Sequence, residues 1–226
     1  MARGFQDDVR EDAMIKLFEL HKADSEGRAG IDAFLNIGEM SIPFELKTTS
    51  TGSVTTVRDF GHDHIAKWKN KHWLFGFFVG GRTYYKYGSP TMMENWIRSM
   101  EAYIAPDIKI AQLVRSKLNL IDLFDVLGEK QFYSIEDAKS LHKRQYNLAQ
   151  YYAQQDLQSG YTQERMLEIL KDRAQYLVAR GSTLNNPHIP FGYFSDWFEI
   201  TENHPEVLRA LVLKYLTEPT EDECLN

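Results

Sequence analysis

The sequence predicts an α/β protein in which a small mixed β-sheet flanked by helices is followed by a mainly helical C-terminal half. Three observations carry this. Between residues 31 and 87 lie four stretches of strand character, punctuated by glycine turns. One amphipathic helical stretch precedes them. Beyond Gly88-Ser89-Pro90 the apolar spacing turns helical and stays so.

Residues 7–24 place Val9, Ala13, Met14, Leu17, Phe18 and Leu20 at helical spacing, and the turn Ser25–Gly30 stops that helix. Ile31 to Ile37 reads as a short strand, with a hairpin turn at Gly38-Glu39. Ser41 to Thr49 alternates Ile42, Phe44 and Leu46 against Pro43, Glu45 and Lys47, a half-buried strand. Pro43 marks its start or a local edge. Ser50 to Gly61 is a polar, threonine-rich loop, and His62 to Asn70 a short helix. His72 to Val79 is almost continuously apolar and aromatic, which suits a strand covered on both faces. Gly80-Gly81 turns the chain into an aromatic strand, Arg82 to Tyr87. Helices are expected at 91–104, 107–118, 135–156, 162–180 and 203–216, with a loop at 181–192. The division expected is a core at 1–90 and a helical region at 91–226, packed together as one domain.

With 43% apolar residues among 226, one core is feasible without cross-links. The single cysteine, Cys224, excludes an internal disulfide and any multi-cysteine zinc site. Met1 to Arg10 lacks the apolar core of a signal peptide, and no apolar run approaches the ~20 residues of a membrane span. A cytoplasmic protein with no membrane partner is expected. The net charge of −6 argues against a nucleic-acid partner, but its distribution does not. Residues 45–90 carry three acids against seven bases, while the two ends hold the excess of acid. Phosphate responds to that local potential.

The chemistry concentrates in Gly30-Ile31-Asp32-Ala33-Phe34 and Glu45-Leu46-Lys47. A hairpin brings Asp32 beside Glu45, and the two-residue period puts Glu45 and Lys47 on one face. Two carboxylates so close repel each other, and a hard divalent cation relieves the repulsion. The carbonyl of Leu46 adds a further oxygen. A bound ion there would polarise a phosphodiester and acidify an attacking water. Lys47 would orient or deprotonate that water, or stabilise the developing charge.

This Asp-x(n)-Glu-x-Lys pattern, across a hairpin and behind an amphipathic helix, resembles the PD-(D/E)XK nuclease superfamily, especially type II restriction endonucleases. The resemblance covers about residues 5–90, with Ile31 where the pattern often has proline. It implies a restriction-endonuclease-like core, Asp32 and Glu45 as metal ligands, Lys47 as catalytic lysine and Mg2+ as cofactor, with no nucleotide. It also implies an accessory glutamate on the first helix. Glu11 borders the apolar stripe and is the candidate, whereas Glu19 points away. The implied activity is site-specific hydrolysis of double-stranded DNA by a homodimer. Open beside it stand a structure-selective or repair nuclease of the same superfamily and a non-catalytic DNA-binding module.

Other residues fit either DNA contacts or ordinary surface. Thr48, Thr49 and Arg58 flank the catalytic strand and suit phosphates. His62 lies nearby, but His62 and His64 would face apart on a helix, which disfavours a shared metal. Lys67, Lys69 and Lys71 read as a solvated face or phosphate contacts. Lys139, His142, Lys143, Arg144, Gln145 and Asn147, with Asn185 and Asn186 in the later loop, are residue types that read base edges.

Overall fold

The structure is a computed structural model that describes residues 3–22, 31–57, 60–181 and 187–218. Helix α1 (Arg3–Leu17) ends earlier than its apolar spacing suggests, and the cause is a local cap. The Leu20 N–H bonds back to the Ile15 carbonyl and the Glu19 N–H to that of Lys16. Glu19 takes the left-handed conformation (φ 52°) that this helix ending requires, and Ile15 and Leu20 meet in the core beneath it. His21 then exchanges two main-chain hydrogen bonds with Phe34, tying the helix exit to the sheet.

Strands β1 (Ala33–Ile37) and β2 (Met40–Thr49) form the expected hairpin, with Gly38 at φ 59° in the turn. After the short β3 (Val54–Thr55) and helix α2 (His62–Trp68), β4 (His72–Val79) returns parallel to β2. The tight turn at Gly80 and Gly81, both with positive φ, leads into the antiparallel β5 (Arg82–Gly88). The sheet order is β1-β2-β4-β5, a mixed sheet as expected. Pairing between β2 and β4 begins at Phe44 opposite His72, so at Pro43 the strand has only β1 as neighbour. That leaves room for a residue with no N–H to donate. The loop expected at 50–61 contributes β3, which pairs with β6 (His188–Ile189).

Alternation sorts β2 and β4 into two faces. Phe44, Leu46 and Leu74 join Met14 of α1, Phe18 in the turn after it, and Leu208 and Val212 of the last helix, α8 (His204–Thr217), in one apolar cluster. Trp73, Phe75 and Phe77 point the other way, with Phe75 and Phe77 in edge contact with Phe194. Lys86 is buried on that side, donating to the carbonyls of Phe194 and Trp197 at 2.9 Å each. It is a tether for the C-terminal segment, which the aromatic strand pattern alone does not reveal.

His72 lies on the α1 and α8 side, its Nδ1 2.7 Å from the Tyr87 hydroxyl and its ring edge-on to Tyr215. Burial pushes its imidazole down to about 4, from an ordinary value of 6.5. The folded state thus favours the neutral ring. The stability this gives is intact above pH ~6.5, falls as pH drops towards ~4, and loses nothing more from this group below that. The gap corresponds to about 3 kcal/mol. Urea unfolding between pH 7.5 and 4.5 is expected to show the wild type losing that much more stability than His72→Gln; parallel pH slopes would refute it.

The chain divides into two compact units, which differ from the expected break at residue 90: residues 1–58, 62–101 and 186–226, and residues 59–61 and 102–185. The C-terminal stretch rejoins the sheet unit because α8 supplies Leu208 and Val212 to its core. Helix α3 (Pro90–Lys117) is continuous through Pro106, where two helices were expected. In the second unit, Asn119, Ser134 and Asn147 each cap a helix in a reciprocal box with the residue three further on. These helices are α4 (Leu120–Leu127), α5 (Ile135–His142) and α6 (Leu148–Ala153). The helix expected at 135–156 is therefore two, broken at Lys143 and Arg144, both left-handed. Tyr133, Tyr151 and Tyr161 pack there with Leu123 and with Met166 and Ile169 of α7 (Gln163–Gly181). Among the described residues no helix is long and apolar enough to cross a membrane.

Candidate active site

Asp32 stands one residue before β1, and its carboxylate reaches across to β2. Asp32 Oδ2 accepts from the Leu46 N–H at 2.8 Å and lies 3.4 Å from Lys47 Nζ. Glu45 and Lys47 share the face of β2 opposite Phe44 and Leu46, as the alternation requires, and Glu45 Oε1 is 2.9 Å from Lys47 Nζ. The same ammonium donates to the Leu46 carbonyl at 2.6 Å. Three oxygens, two carboxylate and one main-chain, thus converge on one cationic point. Asp32 is the most open of the three side chains, 30% exposed against 13% for Lys47 and 11% for Glu45.

Burial alone would lower the proton affinity of Lys47, but Glu45, Asp32 and Glu11 outweigh it and hold the ammonium above the ordinary lysine range. Glu11, half-buried on α1, therefore acts on the same point through its charge. Glu19, set aside on sequence grounds, is instead bonded to Arg209. Burial would raise the Glu45 pKa, yet Lys47 and Lys71 together bring it below the usual carboxylate value. Glu45 and Lys47 thus favour each other's charged forms in the free chain.

The donor set fits a magnesium ion. Among the described residues no group of three or more His, Cys, Asp or Glu side chains is placed to hold a metal. Magnesium needs no such cage, since it binds through one or two carboxylates with water and substrate oxygens. Lys47 Nζ marks the point where Asp32, Glu45 and the Leu46 carbonyl would meet such an ion.

The remaining candidates are scattered. Thr48 and Thr49 end β2. Thr49 is buried, donating to the Ser53 carbonyl at 2.7 Å and accepting from the Thr51 N–H, so it shapes the turn and is not presented to a ligand. Arg58, Asn185 and Asn186 lie outside the described residues. His62 opens α2, and its side chain is likewise outside them. Lys143 and Arg144 belong to the second unit and are exposed. Their helical neighbours are occupied: Lys139 pairs with Glu136, His142 is buried, and Asn147 caps α6.

Sequence reasoning missed Lys71. It is buried, not solvated, with its Nζ 2.7 Å from Glu45 Oε2. The signal lay in the alternation, which puts Lys71 and Trp73 on one face, and Trp73 is the register partner of Glu45. No protein-family model matches this chain, and the comparison with curated proteins finds no match.

Proposed function

We propose that the chain is a Mg2+-dependent, site-specific endonuclease of double-stranded DNA, working as a homodimer in the manner of type II restriction enzymes. The observation that supports it most is the convergence of Asp32, Glu45 and the Leu46 carbonyl on the Lys47 ammonium. It sits at the β1-β2 hairpin of a mixed sheet, the layout that the PD-(D/E)XK pattern implies. Asp32, Glu45 and the Leu46 carbonyl would hold the ion, which when bound polarises the scissile phosphate and acidifies an attacking water.

The chain's own residues take the remaining roles. Asp32, the most exposed member, lies where a phosphodiester has access. In the free chain the surrounding carboxylates favour the Lys47 ammonium, and once an ion takes that point Lys47 would orient the attacking water or stabilise the charge growing on the phosphate. The exposed Lys67 and Lys69 lie in a segment of net positive charge, which favours approach of the DNA backbone.

Digestion of unmethylated phage DNA over a dilution series, with Mg2+ or with EDTA, tests the reading. Discrete Mg2+-dependent fragments are expected. A smear would keep the nuclease and remove sequence specificity. Cleavage confined to four-way junctions would make it structure-selective, and no cleavage of any substrate would overturn the proposal.

A further inference from the structure

Burying a lysine costs several kcal/mol unless its charge is met, and an apolar residue is usually the cheaper occupant of such a place. Lys71 is nonetheless 6% exposed, at the entry to the central strand. Lys69, two residues earlier, is exposed and pairs with Glu101 on the surface. The contrast points to a task for Lys71 at the place it reaches, which is the carboxylate of Glu45.

The two oxygens of that carboxylate are divided between two ammonium groups. Glu45 Oε1 is held by Lys47 at 2.9 Å and Oε2 by Lys71 at 2.7 Å. The two lysines are not equivalent. Lys47 also touches Asp32 Oδ2 and the Leu46 carbonyl, so it stands at the convergence point that an entering cation would take. Lys71 bonds the oxygen on the far side of the carboxylate. A cation that displaces Lys47 leaves Lys71 in place.

We infer that Lys71 is a positioning residue that pins Glu45 Oε2, so that Glu45 offers a single oxygen, Oε1, to a divalent ion beside Asp32. The inference rests on the metal-dependent nuclease reading. It has two consequences with opposite signs. Glu45 is kept from chelating with both oxygens, which leaves a coordination position to the phosphate. A fixed positive charge close to the ion also weakens its binding. Lys71 thus exchanges metal affinity for rate.

The test uses the full chain with Lys71→Met, which keeps the length and removes the charge, and Lys71→Arg, which keeps the charge. Mn2+ affinity is read from the electron paramagnetic resonance of the free ion, and the rate from single-turnover DNA cleavage in Mg2+. Lys71→Met is expected to bind Mn2+ about tenfold more tightly, yet to cleave about tenfold or more slowly. Lys71→Arg is expected to move both back towards wild type. A purely structural lysine gives a different pattern, with affinity, rate and melting temperature falling together, and that result would overturn the inference. Unchanged affinity would do the same.

If Lys71→Met does not fold, wild-type crystals soaked in Ca2+ decide the matter. Lys71 Nζ should remain within hydrogen-bond distance of Oε2, with one Glu45 oxygen on the ion. Both Glu45 oxygens on the ion would overturn the inference. Wild type that binds Mn2+ no better than Asp32→Ala would remove the metal-dependent reading itself, whereas wild-type binding unaffected by Lys71→Met removes only the role of Lys71.

Discussion

Asp32→Ala is expected to lose Mg2+-dependent cleavage by a factor of about 10^3 or more while keeping its fold and its grip on DNA. The rate loss follows from the ligand set. Removing one of two carboxylates from the convergence point forfeits most of what a bound ion contributes, several kcal/mol of transition-state charge stabilisation, and each ~1.4 kcal/mol is tenfold in rate. The fold should survive because Asp32 is partly exposed; it supplies the acceptor for the Leu46 N–H, about 1 kcal/mol, and a longer contact to Lys47, whose ammonium still has Glu45 at 2.9 Å. DNA affinity measured without metal should hold or tighten, since the substitution removes a negative charge from the surface facing phosphates. Asp32→Asn refines the comparison by keeping an acceptor for Leu46 and removing the charge. It should melt like wild type and still fail to cleave. Gel-shift and single-turnover assays read the two halves separately, and cleavage within about tenfold of wild type in either variant would remove Asp32 from the metal site.

How much of this was legible beforehand depends on how local the determinant is. The hairpin of β1 and β2 was readable because a glycine turn and a strict two-residue alternation fix both register and face. Once the face is fixed, Glu45 and Lys47 must point together, and Asp32 must come alongside. The central strand was readable for a similar reason, since an apolar run too short for a helix can only be covered on both faces. Those two facts, with a helix between them, specify the mixed sheet.

What stayed hidden depended on contacts far apart in sequence or on caps read too loosely. Lys71 looked like a surface lysine because its partner is 26 residues away and reaches it only through parallel pairing. Lys86 owes its burial to carbonyls more than a hundred residues downstream. The early end of α1 is set by Glu19 in a conformation that favours glycine, so composition gave no warning. Three breaks in the second unit were, by contrast, written locally. Asn119 with Asp122, Ser134 with Asp137 and Asn147 with Gln150 are capping-box sequences, and reading the third would have split the helix expected at 135–156. That split takes Asn147 out of the group assigned to base recognition, because its side chain accepts from the Gln150 N–H.

Lys47→Met is expected to gain more stability from Mg2+ than the wild type does. In the free chain Lys47 neutralises Asp32, Glu45 and the nearby Glu11, and it is itself mostly buried. Removing one partner of a buried charge cluster leaves carboxylates facing each other, which typically costs about 3–5 kcal/mol. Lys71 still holds Glu45 Oε2, so the loss should fall towards the lower end of that range. A divalent ion then has the vacated point to itself, whereas in wild type it must first displace the ammonium. Mg2+ should therefore raise the melting temperature of Lys47→Met by more than it raises that of wild type. Cleavage should nonetheless stay about 10^2–10^4-fold down, because the cation that stabilises the phosphate is gone. The combination separates the two roles available to this residue. A lysine that only completes an ion-pair network would leave its variant destabilised with or without Mg2+, and thermal melts of both proteins across a Mg2+ titration distinguish the cases. If the ion stabilises wild type and variant equally, Lys47 does not occupy the metal's place.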